Sequence, residues 1–209
     1  MNFGSETLLN TITGSISRDF FKDVITGLNG AHRKAVTDCE ANFSQEVAKD
    51  CFPIYRRAMV EDAIKGIGRN YGFNARSVPN KSKSSSHVEI EIESEGKRLI
   101  FTTLAVYNCY DMSKFRKANF RKTLAEEAQL SFFKDIIDDG DGYYGLILYG
   151  AKPQSKDINF AYLGFPTANC KEWYGHYNLN DLALQKDDVE MIKDVANPML
   201  KKNLVKKEQ

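Results

Sequence analysis

Residues 87–94 alternate apolar and acidic side chains, and this pattern constrains the fold more than any other feature of the sequence. The apolar positions are Val88, Ile90 and Ile92, and the acidic positions are Glu89, Glu91 and Glu93. A period of two residues is typical of a strand that packs one face on a core and leaves the other face in water. Gly96 then supplies a short turn, and residues 99–107, rich in β-branched and aromatic side chains, predict the second strand of a hairpin.

A long helix is expected after this hairpin. From Lys114 onward the apolar residues recur at helical spacing, and most of them fall on one broad stripe. An aspartate-glycine turn at residues 138–142 ends this predicted helix, and the apolar run at 143–149 predicts a buried strand. Residues 158–165 predict a further strand, and residues 173–177 predict either an aromatic edge strand or a packed loop.

The N-terminal part of the chain, residues 1–72, predicts a layer of helices. Apolar residues recur in it at spacings of three and four residues. We expect the first long helix to end at Gly27 or Gly30, and Pro53 to end or bend the next helix. Gly72 is well placed as the glycine that ends a third helix.

The remaining boundaries follow from composition. Residues 73–86 are polar and rich in serine, which predicts a loop, and residues 201–209 form a basic tail. We expect residues 87–200 to form the sheet and its central helix, in one domain with residues 1–72. The predicted fold class is therefore α+β: an antiparallel sheet of about four or five strands, a long central helix on one face and an N-terminal helical layer.

Composition argues against several classes of protein. The net charge of +1 gives no general attraction to nucleic acid or to a membrane. The four cysteines include no C-x-x-C pair, the three histidines lack metal-ligand spacing, and there is no nucleotide-binding glycine motif, so we expect no metal and no cofactor. The sequence has no run of about 18 apolar residues, so no membrane span is expected. We therefore expect a cytoplasmic protein.

A basic stretch at the start of the long predicted helix is the main functional feature of the sequence. It consists of five cations and one aromatic ring: Lys114, Arg116, Lys117, Phe120, Arg121 and Lys122. Cations near a helix N-terminus oppose the helix macrodipole, at a cost of about 0.3–1 kcal/mol for each exposed charge, so folding alone does not favour them there. Backbone N–H groups beside cations bind phosphate or carboxylate, and Phe120 could stack on a base. Lys81 and Lys83 would extend the basic stretch if their loop lies close to it.

A metal-dependent nuclease of the PD-(D/E)XK kind is an alternative. Such an enzyme places an acid on one strand and an acid-x-lysine on the next, so that carboxylates hold Mg²⁺ and the lysine orients a water. Glu95, Gly96 and Lys97 match the three-letter pattern, and Glu91 would supply the other acid. The pattern falls in the predicted turn, however, and the glutamates of the preceding strand are more simply interpreted as a solvated row.

The sequence thus predicts a binding or regulatory module that recognises an acidic protein surface or a nucleic acid backbone through the basic stretch. Its general layout is similar to that of small proteins carried by bacteria and their phages. The nuclease and a structural subunit of a homo-oligomer are the alternatives, and the subunit would require a large exposed apolar patch.

Overall fold

Three helices form the N-terminal part of the protein in a computed structural model of the chain. The structure describes residues 3–79, 83–94, 97–110, 142–152, 155–167 and 172–184. Helix α1 covers Phe3–Ser15, α2 covers Arg18–Asn42 and α3 covers Gln45–Asn70. Ser17 caps α2, because its side chain accepts a hydrogen bond from the backbone N–H of Phe20 at 3.3 Å. The predicted N-terminal helical layer is confirmed.

Six strands form one mixed sheet. In chain order they are β1 (Asn74–Pro79), β2 (Ser86–Ser94), β3 (Lys97–Ala105), β4 (Gly142–Gly150), β5 (Phe160–Pro166) and β6 (Trp173–Asn178), followed by the short helix α4 (Leu179–Ala183). The strands lie in sequence order across the sheet, and every neighbouring pair is antiparallel except β3 and β4, which are parallel. The α+β class is confirmed, but the sheet has six strands instead of four or five and is not purely antiparallel.

The additional strand is β1, which lies where the sequence predicted a polar loop over residues 73–86. It pairs with β2 over six positions, beginning with Asn74 opposite Glu91. Only Ala75 in this strand is fully buried, so its side chains carry almost no hydrophobic pattern. Backbone hydrogen bonds to β2 hold the strand in the sheet, and composition gives no signal of such bonds.

The helices cover one face of the sheet and build the main core. Alternate residues of β2, among them Val88 and Ile90, point toward the helices and are almost inaccessible to solvent. The ring of Phe20 on α2 lies edge-on to the rings of Tyr71 and Phe73, with centroids 5.4 and 5.2 Å away. Burial of these apolar side chains is the main stabilising contribution to the fold.

A second, smaller group of apolar side chains lies on the other face of the sheet. It consists of Val106, Tyr144, Leu146 and Leu148, all of them buried. Strand β4 therefore has buried side chains on both faces, as its continuous apolar sequence predicted.

The long helix predicted between β3 and β4, and the chain after residue 184, lie outside the described residues. The predicted place of that helix on one face of the sheet therefore stays a prediction. Of the helices that the structure does describe, none is long and apolar enough to cross a membrane.

Two glycines and a proline in the helical layer differ from expectation. Helix α2 runs through Gly27 and Gly30, where the sequence predicted its end. A Cβ on Gly27 would lie 2.5 Å from Cδ1 of Ile67, so this glycine allows α2 and α3 to approach closely. Helix α3 contains Pro53 and does not end there, whereas the alternative, a bend at this proline, stays a prediction. Gly72 does end α3 as predicted, because its φ of +74° favours glycine.

The connection between β4 and β5 is attached to α2 by two polar contacts. His32 Nε2 donates to the carbonyl oxygen of Ser155 at 2.9 Å, and the Arg33 guanidinium pairs with the Asp157 carboxylate at 2.5 Å. The His32 ring is buried, and this burial lowers its pKa below the ordinary value for histidine. The helical layer and the second half of the sheet are thus joined by polar contacts as well as by the core.

We expect Phe20→Ala to lower the free energy of unfolding by about 3–5 kcal/mol, because it removes a buried ring from the core. The matched control is Phe43→Ala at the end of α2, where the residue is 45% exposed and the expected loss is below about 1 kcal/mol. Urea unfolding followed by circular dichroism measures both variants. Equal losses would show that Phe20 is no more important to the core than an exposed phenylalanine.

Candidate functional site

Most of the predicted binding residues lie outside the part of the chain that the structure describes. These are Lys81, Lys114, Arg116, Lys117, Phe120, Arg121 and Lys122. Lys83 is described: it is exposed and lies in the connection between β1 and β2. That connection belongs to the β1 edge of the sheet, at the other side from β6.

Glu91, a candidate for a metal site, is part of an ion-pair network that joins β1, β2 and β3. Its carboxylate pairs with Arg98 across the β2–β3 hairpin and lies 3.7 Å from Nη2 of Arg76 on β1. The side-chain amide of Asn74 also donates to it, at 3.1 Å. Cations and a hydrogen bond already compensate this carboxylate, so the network explains the position of Glu91 without a metal.

The other nuclease candidates are only partly described. Glu95 lies outside the described residues, whereas Lys97 begins β3 opposite Ser94, so it belongs to a strand rather than to the turn. Within the described ranges, no three His, Cys, Asp or Glu side chains form a group that could hold a metal ion. The described part of the chain gives the nuclease hypothesis no support.

Glu89 is buried, although the sequence predicted a solvated row of glutamates. Only 6% of its surface is exposed, and the adjacent His87 is also buried. His87 Nε2 donates to one oxygen of the Glu89 carboxylate at 3.0 Å, and Nη2 of Arg76 lies 3.9 Å from the other oxygen. These partners offset the cost of removing a carboxylate from water. The network therefore stabilises this part of the sheet.

A group of aromatic rings at the β6 edge of the sheet is a candidate site among the described residues. It consists of Tyr110, Tyr162, Trp173 and His176, and we call it the aromatic cluster. The His176 ring lies at its centre, with its centroid 4.6 Å from that of Tyr162, 4.8 Å from that of Tyr110 and 5.4 Å from that of Trp173. The rings of Tyr162 and His176 are stacked, with 19° between their planes.

The register between β5 and β6 brings these rings together. Gly164 lies opposite His176, so Tyr162 is a diagonal neighbour of His176 on the same face of the sheet. A Cβ on Gly164 would lie 2.7 Å from the indole of Trp173, so this glycine makes room for the indole ring. Tyr110 joins the cluster from the segment that follows β3.

A hydrogen bond fixes the orientation and the tautomer of His176. Its Nε2 lies 3.0 Å from the carbonyl oxygen of Cys109, and because a carbonyl can only accept, Nε2 carries the proton. Burial lowers the pKa of His176 below the ordinary 6.5, and the bond to Cys109 opposes that shift in part. At pH 7 the ring is therefore neutral, which suits stacking.

The thiol of Cys109 is a poor nucleophile. Burial raises its pKa above the usual value, so the thiol stays protonated at neutral pH. His176 contacts the carbonyl oxygen of Cys109 rather than its sulfur. Cys109 is therefore not a candidate nucleophile beside the aromatic cluster.

One exposed tyrosine presents this region to solvent. Tyr110 is 64% exposed although its ring contacts His176. Aromatic faces that remain accessible beside a stacked cluster form a surface on which a planar ligand can stack.

The sequence predicts one part of the aromatic cluster and misses the rest. The aromatic run at residues 173–177 predicts an edge strand or a packed loop, and the structure forms the edge strand β6. Tyr110 and Tyr162 carry no comparable signal, because they meet His176 only through the chain path after β3 and the register of β5 with β6. A local pattern does not contain that information.

No protein-family model matches the chain, and no curated protein or solved structure matches it. The interpretation of the aromatic cluster therefore rests on its own geometry and chemistry.

We expect Glu89→Ala to lower the free energy of unfolding by about 1–3 kcal/mol, because it removes the carboxylate to which buried His87 donates. Glu93→Ala is the matched control on the same strand and the same face; Glu93 is exposed, and the expected change is within about 0.5 kcal/mol. Chemical denaturation at pH 7 compares the two variants. A loss for Glu89→Ala no larger than that of the control would contradict a stabilising network.

The lowered pKa of His176 predicts a specific pH dependence of stability. Between the folded pKa and 6.5 the unfolded chain binds more protons than the folded chain, so the free energy of unfolding rises with pH in that window and levels off above it. Replacing His176 by Asn should make this increase in the free energy of unfolding smaller. Part of the increase should remain, because the pKa of His32 is also lowered by burial. Denaturation at several pH values measures the slope, and an NMR titration of His176 with a midpoint above 6.5 would contradict the shift.

Proposed function

We propose that the protein binds single-stranded nucleic acid, with bases stacking at the aromatic cluster and phosphates contacting the basic stretch. The observation that carries this proposal is the exposure of Tyr110 beside the stacked rings of His176 and Tyr162. Proteins that bind single strands combine aromatic side chains, on which bases stack, with cations that follow the phosphate backbone.

The geometry of Tyr110 supports a role in stacking. Its ring contacts His176, which is itself fixed by the hydrogen bond to Cys109, and most of the tyrosine remains exposed. A ring that is already held in place loses less conformational freedom when a ligand stacks on it. Tyr110 is therefore better prepared for binding than a tyrosine that moves freely on a surface.

Covalent connectivity keeps the basic stretch near the aromatic cluster. Lys114 follows Tyr110 by four residues, and four fully extended residues span at most about 14 Å. By the same limit the Cα atom of Lys117 is within about 25 Å of that of Tyr110. One short single strand can therefore contact both groups of side chains.

An acidic protein surface is the other anionic partner that the basic stretch could recognise. Carboxylates would satisfy its cations, but they would not use the exposed aromatic faces. A single strand of nucleic acid would use both the cations and the aromatic faces, because its bases stack on aromatic side chains while its phosphates contact cations. The aromatic cluster thus favours nucleic acid.

Fluorescence anisotropy with a labelled single strand of about 20 nucleotides tests the proposal, since this length exceeds the site size of most single-strand binding folds. We expect binding at about 50 mM salt that weakens steeply by about 200 mM, because neutralised phosphates release counterions. Polyglutamate should compete weakly. Equal competition by polyglutamate would favour an acidic protein partner, and no binding at low salt would contradict the proposal altogether.

Tyr110→Ala is expected to cost about 1–3 kcal/mol of binding free energy while leaving the salt dependence unchanged, because it removes a stacking face and no charge. Charge reversal at Arg116, Lys117 and Arg121 should abolish binding without lowering thermal stability. Tyr55→Ala, which removes an exposed tyrosine from α3, is the control and should have no effect. Unchanged affinity of Tyr110→Ala would rule out stacking at the aromatic cluster.

A further inference from the structure

Arg56 on α3 is a half-buried cation without a polar partner. The other arginines in the part of the chain that the structure describes are exposed, and most of them form ion pairs; Arg57, for example, pairs with Glu61 at 2.7 Å. Arg56 forms no hydrogen bond and no ion pair with any described residue, and its Nε is buried. Because a cation that is partly removed from water is costly unless an anion accompanies it, this position favours a negatively charged ligand.

The local sequence explains why no side chain of α3 neutralises Arg56. Residues three and four positions away on a helix lie on the same side, and around Arg56 these residues carry no charge: Phe52, Pro53, Met59 and Val60. The carboxylate of Asp157, on the connection between β4 and β5, is already paired with Arg33 at 2.5 Å. The positive charge of Arg56 is therefore not neutralised within the described ranges.

Two aromatic rings hold the Arg56 guanidinium in place. Its Cζ atom lies 5.2 Å from the centroid of the Phe52 ring and 5.7 Å from that of the Tyr149 ring. Phe52 is one turn earlier on α3, and Tyr149 is a buried residue near the end of β4. The attraction between a cation and these rings uses none of the N–H donors of the guanidinium. The group is thus oriented in advance, and its donors are left for a ligand.

His32 lies beside the same phenylalanine and responds to the charge of Arg56. The ring centroids of His32 and Phe52 are 5.7 Å apart, with 77° between the planes. Burial is the main cause of the lowered pKa of His32; the bond to Ser155 and the charge of Asp157 oppose the shift, and the charge of Arg56 adds to it. An anion bound to Arg56 would offset that charge and raise the pKa of His32. His32 therefore reports on the occupancy of this place.

We propose that Arg56 binds an oxyanion, either a phosphate or a carboxylate, that reaches it from solvent. The half-burial of Arg56 leaves part of its side chain accessible. The N–H donors of a guanidinium form a planar fork that matches two oxygen atoms of such a group. Charge-assisted hydrogen bonds of this kind are about twice as strong as neutral ones, and partial shielding from water strengthens them.

This site is separate from the proposed nucleic acid surface. Tyr149, which holds Arg56, belongs to the main core on the helical face of the sheet. Tyr162 of the aromatic cluster packs instead on the smaller apolar group of the other face. Binding of a small oxyanion at Arg56 needs neither the aromatic cluster nor the basic stretch, so failure of one proposal leaves the other unaffected.

NMR titration of the full chain with sodium phosphate and, separately, sodium acetate tests the proposal at constant ionic strength. We expect saturable shifts of the Arg56 Nε–H signal and of the His32 ring signals, with a dissociation constant on the order of 1 mM, which a ligand this small can reach. The pH midpoint of His32 should rise when the anion is bound. Saturation by phosphate alone, by acetate alone or by both identifies the oxyanions that the site accepts. Shifts that do not saturate with either anion, or an unchanged His32 midpoint, would overturn the proposal.

Arg56→Met removes the guanidinium and keeps a long apolar side chain against the two rings. Affinity, measured on the His32 signals, should fall by at least about tenfold. Arg18→Met is the matched control: it removes the same charge at an exposed arginine of α2 and should leave affinity unchanged. Equal losses in the two variants would overturn the proposal, because they would show attraction by net charge alone.

Arg56→Lys keeps the charge and removes the planar fork, and it preserves the test if the methionine variant fails to fold. We expect its affinity to lie between those of the unchanged protein and of Arg56→Met, because a lysine binds an oxyanion only as a point charge. Circular dichroism confirms that each variant is folded. Affinity of Arg56→Lys equal to that of the unchanged protein would overturn binding through the guanidinium fork.

Discussion

The parallel pairing of β3 with β4 is the interaction on which the rest of the fold depends. Eight residue pairs, from Arg98 with Gly142 to Ala105 with Tyr149, join two antiparallel groups of three strands into one sheet. Each group alone would leave an unpaired edge and a narrow apolar face. Because parallel strands run in the same direction, a tight turn cannot join β3 to β4, which agrees with their wide separation in sequence.

The helical layer depends on this joined sheet, but it does not use all of its own apolar surface there. The second half of α3 packs on the sheet through Val60 and Ile64, while Ile54 in its first half is exposed. At the β6 edge, Tyr110 is likewise exposed although its ring contacts His176. Neither Ile54 nor Tyr110 is buried in the core, so packing of the core does not explain these two large side chains.

Local sequence patterns predicted the elements that local forces determine. The alternation at residues 87–94 identifies β2, and Gly72 ends α3 because of its own backbone conformation. Gly27 shows where such reasoning stops: it lies inside α2 where Ile67 of α3 approaches it closely, and this contact between two helices has no local sequence signal. Glu89 fits the strand pattern, yet its burial depends on partners from its own strand and from β1. The aromatic cluster needs elements that are distant in sequence, so no local pattern could have assembled it.

The chain has a single tryptophan, Trp173, and it lies in the aromatic cluster. Its indole packs over Gly164, and its centroid is 5.4 Å from that of the His176 imidazole. All indole emission of the protein therefore originates at one place, next to a ring whose charge changes with pH. The protein carries a built-in optical reporter, so that occupancy and protonation at this edge of the sheet can be followed without any added label.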